Sequence, residues 1–394
     1  MSESEHENEI RDVDLRKTIE QSIIPGFPDD LAFRCIAKLS HGYHGMLECV
    51  SRRWRDLVRS EYYSCYKAKK GWSGSWLFVL AEGFKNRWVA YDPDADLWHP
   101  LPRNGAVEDG WDHYGFACVC VSNCLLVIGG CYASSSPHEN TVVTRDVVRF
   151  DPFKKEWKRV ASMRTPRAHF ACAVVSGKVY VAGGRNALTH LFGMSSAEVY
   201  DPVADRWVEL PAVPRPQMNS SRSGLSYKGS FHVLGDEVGM ASQAFNPLEM
   251  SWSTVVDICP PLVSRKFNGH VMKNDRLYTI DDLGLGGSFI KAKDTDEGEW
   301  YDVGSVPSVV LPNHLGEAPV GEYGFAALRD KFYVIGGIVP IESDAGRFEH
   351  VGWSVVKVCN PLDRPLNWRK TKPMCIPAGG RIIGCVSLEE SLRT

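Results

Sequence analysis

The sequence predicts a mainly β fold in which repeated four-strand units pack side by side, preceded by a small all-α unit. Two observations carry this. A turn of aromatic-Asp-Pro type, or a close variant, recurs along the chain with a tryptophan a short way beyond it. The copies are Tyr91-Asp92-Pro93 with Trp98, Phe150-Asp151-Pro152 with Trp157, Tyr200-Asp201-Pro202 with Trp207, Phe245-Asn246-Pro247 with Trp252 and Cys359-Asn360-Pro361 with Trp368, and a degenerate copy runs from Asp294 to Trp300. Self-similarity at a period of roughly 45 to 70 residues marks an array of supersecondary units, none of which can bury its apolar face alone. The second observation is an apolar run that closes each unit on small residues: Leu125 to Gly130, Val179 to Gly184, Phe231 to Asp236, Leu277 to Asp282 and Phe332 to Gly337. Gly129-Gly130, Gly183-Gly184 and Gly336-Gly337 suit a tight reversal where a side chain would clash. In the other two units Gly235-Asp236 and Asp281-Asp282 stand in place of the pair, so those copies are diverged.

Ahead of the repeats, residues 1–20 carry Glu3, Glu5, Glu7, Glu9, Asp12 and Asp14 with almost no apolar content, the composition of a solvated acidic tail. Helical spacing begins after Pro28. Asp29 or Asp30 can cap, and Leu31, Cys35, Ile36 and Leu39 share one helix face. The Ser40-His41-Gly42 turn interrupts the pattern, and a second helical stretch carries Met46, Leu47, Val50, Trp54, Leu57 and Val58. The expected organisation is therefore a helical unit over 21–66, a linker over 67–74 and a β domain over 75–390.

Strand counting predicts how the β domain closes. The run from Ser75 to Leu80 corresponds to the second strand of a unit whose first strand is missing, and 381–388 is a first strand with nothing after it. Together they complete one unit, giving six in a ring that leaves no free edge. In antiparallel four-strand units the connections after strands two and four emerge on one face. They are also the long ones, over 131–145, 185–195 and 338–352 and over 99–113, 211–221, 257–266 and 304–321, read as structureless loops of the kind that carry function.

Composition narrows the function classes. The chain has 394 residues, 44% hydrophobic and 24% charged, which suits a soluble globular protein, and its net charge of -3 argues against nucleic-acid binding. No apolar run reaches the roughly 18 to 20 residues that span a bilayer, and the acidic amino terminus is unlike a secretory signal, so an intracellular protein, cytoplasmic or nuclear, with no membrane partner is expected. Its 12 cysteines are then expected to be reduced. Cys118, Cys120, Cys124 and Cys131 lie close in sequence without a zinc spacing, and His113, His169, His270 and His314 are scattered, so no metal site or other cofactor is expected. Glu108 and Asp112 begin a Glu-x3-Asp-x3-His iron pattern, but Phe116 stands where its histidine would be. With no phosphate loop and no Ser/His/Asp set, no catalytic residue is assigned.

The four-strand unit with paired glycines, aromatic turn and spaced tryptophan resembles the kelch repeat, which implies a six-bladed β-propeller. Residues 23–63 resemble an F-box. The match lies in Ile24-Pro25-Gly26-Phe27-Pro28-Asp29-Asp30-Leu31, with Phe27 where leucine is commoner, and in Cys49-Val50-Ser51-Arg52-Arg53-Trp54-Arg55-Asp56-Leu57. The combination is the plant-type F-box/kelch layout. It implies a substrate receptor in which a Skp-type adaptor of a cullin-RING ubiquitin ligase binds Pro25, Phe27, Pro28, Leu31, Val50, Trp54 and Leu57, while the propeller binds the protein to be ubiquitinated. For Trp54 in particular the alternative is a place in the hairpin's own core. Two other functions stay open: a kelch interaction scaffold without ligase function, and a small-molecule-binding or enzymatic propeller.

Cations recur near strand ends on the long-connection face: Arg167, Arg185, Arg215, Arg222, Arg265, Lys266, Arg347 and Arg381. A ring of guanidinium groups there could grip an acidic peptide, since each matches a carboxylate in bidentate fashion. The competing reading makes most of them solvated or blade-bridging.

Overall fold

The computed structural model describes residues 22–389 apart from 83–85, 106–110, 135–140, 188–192, 215–222, 235–240, 256–269, 283–286, 295–298, 311–316, 319–321, 343–347, 353 and 375–380. The acidic tail and the 211–221 and 257–266 connections thus lie largely outside the described residues. The chain divides into two compact units, one ending at Gly74 and the other covering Ser75–Glu389.

Among the described residues the first unit has four α-helices: α1 (Asp29–Lys38), α2 (His44–Val50), α3 (Arg52–Arg59) and α4 (Glu61–Lys69). The second helical stretch of the sequence is two helices because Ser51, in extended conformation, accepts the Trp54 N–H with its side chain and starts a new helix. Ser60 does the same for Tyr63 and starts α4, a helix not foreseen, which runs through Lys69 into the stretch expected to be linker. Lys67 is fully buried there, and its ammonium donates to the carbonyls of Ala37 (2.8 Å) and Leu39 (2.6 Å) at the end of α1. Tyr63 completes the tie, its hydroxyl donating to the Ile36 carbonyl at 3.1 Å. Neither Asp29 nor Asp30 caps α1, whose N-cap is Pro28 without a side-chain bond.

The second unit is six antiparallel four-stranded sheets. Blade 1 pairs Trp76–Ala81, Val89–Asp92 and Leu97–Pro100 with Ile382–Leu388, which lies innermost. The register Trp76↔Leu388 to Ala81↔Ile382 ties the last strand of the chain to the first. The inner strands of blades 2 to 6 are Ala117–Val121, Ala171–Val175, Gly224–Tyr227, Val271–Lys273 and Gly324–Leu328, and each leads its blade in chain order. The result is a mainly β, six-bladed propeller with a small all-α unit.

Apolar cores lie between blades. Along Trp76–Ala81 every residue is buried because alternate side chains enter different cores: Leu77 and Val79 join Leu328, Tyr333 and Ile335 of blade 6, whereas Phe78 and Leu80 join Leu125, Val127 and Phe150 of blade 2. The repeated turn works through its side chains. Asp92, Asp151, Asp201, Asn246 and Asn360 each accept a backbone N–H two residues on, at 2.9–3.0 Å. The repeated tryptophan then latches one blade to the one before it. The indole N–H donates to a backbone carbonyl just past the preceding outer strand: Trp157 to Pro102 (2.9 Å), Trp207 to Ala161 (2.8 Å) and Trp252 to Pro211 (2.8 Å). Trp98 of blade 1 donates to Lys372 of blade 6 at 2.9 Å, so the latch also spans the closure. Gly130 shows why a glycine pair ends the second strand. An added Cβ would sit 2.7 Å from His113 Nε2 and 2.8 Å from the Tyr114 carbonyl.

Four connections read as structureless carry strands. Ile338–Glu342 and Phe348–Gly352 form a hairpin, Cys131–Ser134 pairs with both Trp111–Tyr114 and Val142–Val143 in a small sheet drawn from 99–113 and 131–145, and Val309–Val310 pairs with Glu317–Ala318 within 304–321. The connection placed at 304–321 starts later, because the outer strand of blade 5, Trp300–Val306, contains Gly304.

Candidate functional site

The helical unit presents a preformed surface. Phe27 donates its N–H to the Ile24 carbonyl (3.0 Å) across Pro25-Gly26, with Gly26 at φ 76°, the geometry of a type II turn with proline first and glycine second. Three bonds hold this turn on α1 and α3. Asp29 accepts the Ile23 N–H (2.6 Å) and pairs with Arg53 (2.8 Å), and the Trp54 indole N–H donates to the Ile23 carbonyl (2.7 Å). Trp54 is thereby a fastener, packed with Leu57 against the core of Ile36, Ala37, Leu47, Val58 and Tyr63. Both are candidate docking anchors, and both are partly buried against that core.

The remaining candidates face outward. Pro25 and Pro28 are exposed, and so are Phe27 (40%), Leu31 (41%) and Val50 (60%). On α1 the buried residues are Ala32, Ile36 and Ala37, so of the expected face only Ile36 is inside. Leu31, Cys35 and Leu39 form a second apolar stripe that is entirely exposed, with Met46 (61%) and Tyr62 (69%) exposed on α2 and α4. Leu39, Met46 and Tyr62 are not among the docking residues expected from the sequence. Their apolar character is the same as that of core residues, and only the fold separates the two.

On the propeller the candidate cations have unlike fates. Arg167 is fully buried, its guanidinium donating to the carbonyls of Gly183 (2.9 Å) and Ser196 (2.8 Å) and to Glu198 (2.7 Å), itself 1% exposed. Glu198 also accepts the backbone N–H groups of Arg164 (2.7 Å) and Thr165 (3.2 Å). Arg167 is thus a bridge within blade 3, withdrawn from the surface on which the candidate cations were expected. Arg381 lies at the start of the innermost strand of blade 1 and is neutralised by Glu322, with Glu82 at 3.7 Å. Arg185 follows the second strand of blade 3, partly exposed, antiparallel-bridged to Ala168. Arg215, Arg222, Arg265, Lys266 and Arg347 lie outside the described residues.

The axial channel holds a cavity of about 510 Å³ lined by Cys118, His270, Met272, Phe325, Cys385 and Glu389, among others. Its thiols are unsuited to nucleophilic work. Burial pushes Cys118 up to about 12 and Cys385 higher still, with the neighbouring Cys118 sulfur adding to the latter. His113 is packed between Phe116 and Tyr132, bonded to the Gly129 carbonyl at 2.7 Å, and pushed down to about 4 by burial. Among the described residues no three His, Cys, Asp or Glu side chains converge as a metal site, and no helix is long and apolar enough to cross a membrane.

The family model for the F-box domain matches residues 24–65, and that for the Kelch motif matches 113–164 and 166–214. The chain is 72% identical to F-box/kelch-repeat protein At1g16250 of Arabidopsis thaliana, over 95% of this chain and 99% of that one. It is 30% identical to F-box/kelch-repeat protein SKIP30 of the same plant, again over 95% and 99% of the two chains. Among solved structures that of YjhT aligns with a TM-score of 0.51 at 14% identity, covering 73% of this chain and 88% of the other, a likeness of fold alone. With both signatures present and a relative of such identity matched end to end, the chain belongs to the F-box/kelch-repeat protein family.

Proposed function

We propose that this protein is a substrate receptor of a Skp-cullin-F-box ubiquitin ligase acting inside the cell, its helical unit binding the Skp-type adaptor and its propeller binding the protein to be ubiquitinated. Ubiquitin transfer itself belongs to the partners, so the chain has no catalytic residue of its own. The observation that supports this most directly is the division of labour in the helical unit. Trp54 and Leu57 pack against its core, while Phe27, Leu31, Leu39 and Val50 are exposed and the turn that carries Phe27 is already fixed. Exposed apolar side chains clustered on a fixed backbone favour docking, since little entropy remains to be lost on binding. The target is assigned to the propeller face that carries the hairpin 338–352 and the small sheet around 131–143, where the long connections gather.

The test is capture of the adaptor and cullin by the full-length chain. Pro28→Ala with Leu31→Ala should weaken adaptor binding at least tenfold, while the propeller's melting temperature stays unchanged. Full adaptor binding by the double variant would overturn the assignment. Crosslinks from a captured target should fall in 131–145, 304–321 and 338–352; crosslinks confined to the opposite face would overturn the placement.

A further inference from the structure

Two residues ahead of the inner strand, blades 2, 3 and 6 each place a residue in the left-handed region: Gly115 (φ 64°), His169 (φ 54°) and Glu322 (φ 54°). Glycine accepts this conformation freely, whereas a histidine or a glutamate holds it at a cost and only where the surroundings impose it. The three positions ring the channel mouth on the long-connection face. The His169 N–H donates to the Gly115 carbonyl at 2.7 Å, and its imidazole lies so close over blade 2 that a Cβ on Gly115 would be 2.9 Å from Nε2. Tyr114 is the ring beside it, 6.2 Å between centroids. Ala168 and Arg185 exchange both backbone hydrogen bonds at 2.9 Å, and the Arg185 charge is near enough to act on the His169 imidazole.

The charges of the mouth are unevenly matched. Inner strands neighbour one another in the order of the blades, so blade 6 stands opposite blade 3. There Glu322 has Arg381 as its counter-charge. Arg185 makes no ion pair and no side-chain hydrogen bond among the described residues, and its Nε is buried without a partner. One side of the mouth is neutralised, and the other holds a guanidinium with no counter-charge among the described residues, near a histidine whose backbone is held in the left-handed region.

We infer that Arg185, with His169 and Tyr114, forms a subsite for the carboxylate of an acidic peptide side chain, so that the target is read through an Asp or Glu seated between blades 2 and 3. This deepens the proposed function and rests on the same docking face. A carboxylate matches one guanidinium by a two-bond fork. A phosphate dianion asks for a second cation, and neither Arg167 nor Arg381, both already paired, is free to supply one. His169 is held below the ordinary histidine range by burial and by Arg185, so it contributes a neutral ring N–H to the anion.

The experiment uses the full-length protein and fluorescein-labelled tetraglutamate and tetraglutamine, followed by fluorescence polarisation at constant ionic strength. Tetraglutamate should bind saturably and at least tenfold more tightly than tetraglutamine. Arg185→Ala should remove that preference, and Arg185→Lys should keep part of it. Arg206→Ala, on the exposed outer strand of blade 3, should leave it intact. Arg185→Gln is the second variant if Arg185→Ala lowers the melting temperature. Equal binding of the two peptides, an unchanged preference in both Arg185→Ala and Arg185→Gln, or displacement by inorganic phosphate as effective as by unlabelled tetraglutamate would overturn the inference. The proposed function is separately readable: adaptor capture and the face of target crosslinking do not depend on these peptides.

Discussion

Replacing Arg167 by leucine should destabilise the propeller without touching the docking surface of the helical unit. The substitution leaves the Glu198 carboxylate, 1% exposed, without a counter-charge, and strips a donor from the carbonyls of Gly183 and Ser196. Removing one partner of a buried pair costs about 3–5 kcal/mol. The N–H groups of Arg164 and Thr165 still solvate Glu198, which places the cost near the lower end, about 3 kcal/mol. The propeller spans Ser75–Glu389, about 315 residues, for which the usual unfolding entropy is about 0.66 kcal/mol/K. Dividing the cost by that entropy gives a fall in melting temperature of about 5 °C. Thermal unfolding of the wild type, Arg167→Leu, Glu198→Gln and the double variant measures both the loss and the coupling. Glu198→Gln on the Arg167→Leu background should recover part of the stability, because a neutral amide tolerates the dry site better than a carboxylate. A single variant that melts within 1 °C of the wild type, with no coupling in the cycle, would refute the structural assignment of Arg167.

Three further outcomes are expected. Trp54→Ala should cost the helical unit about 3–5 kcal/mol in a denaturant or thermal scan, because it empties a core position and frees the Ile23 turn, whereas Val50→Ala should leave stability within about 0.5 kcal/mol. Deleting residues 382–394 should yield insoluble or sharply less stable protein, since blade 1 loses its innermost strand; a soluble monomer with the parental melting temperature would contradict the closure. His113, neutral when folded with a value of about 4, takes up its proton far more readily when unfolded, so its contribution to stability is lost as pH falls from about 6.5 toward 4, by an amount approaching 3 kcal/mol. His113→Gln should flatten that part of the stability-versus-pH curve, and an unchanged slope would contradict it.

The ring was legible because its signals are local. An Asx turn, a left-handed residue and a latching tryptophan fall within one short stretch, and copies such as Tyr200 to Trp207 repeat the same physics. Strand bookkeeping then placed the closing strand. The helical unit was less legible, since Leu31, Cys35 and Leu39 on one side of α1 and Ala32 and Ile36 on the other are both spaced for an apolar face. Which one is buried depends on Tyr63 and Lys67 in α4, a helix whose boundaries the sequence did not announce. For the arginines, sequence position located the face but could not foresee pairing. Glu198, which withdraws Arg167, lies 31 residues away. The left-handed mouth positions are invisible in the sequence because three unlike residues, Gly115, His169 and Glu322, share one backbone role.

Blade 1 also sets a clock on biosynthesis. Its second strand ends at Ala81 and its innermost begins at Ile382, so at roughly 5–20 residues per second a nascent chain carries an unfinished first blade for about 15–60 s. During that interval the inner edge of Trp76–Ala81 is open, and the apolar face of blade 6 has no completed neighbour. A ribosome that stops anywhere short of the last strand therefore releases a ring with a seam. The product advertises its own incompleteness to chaperones and proteases, and only a chain translated to its final strand hides it.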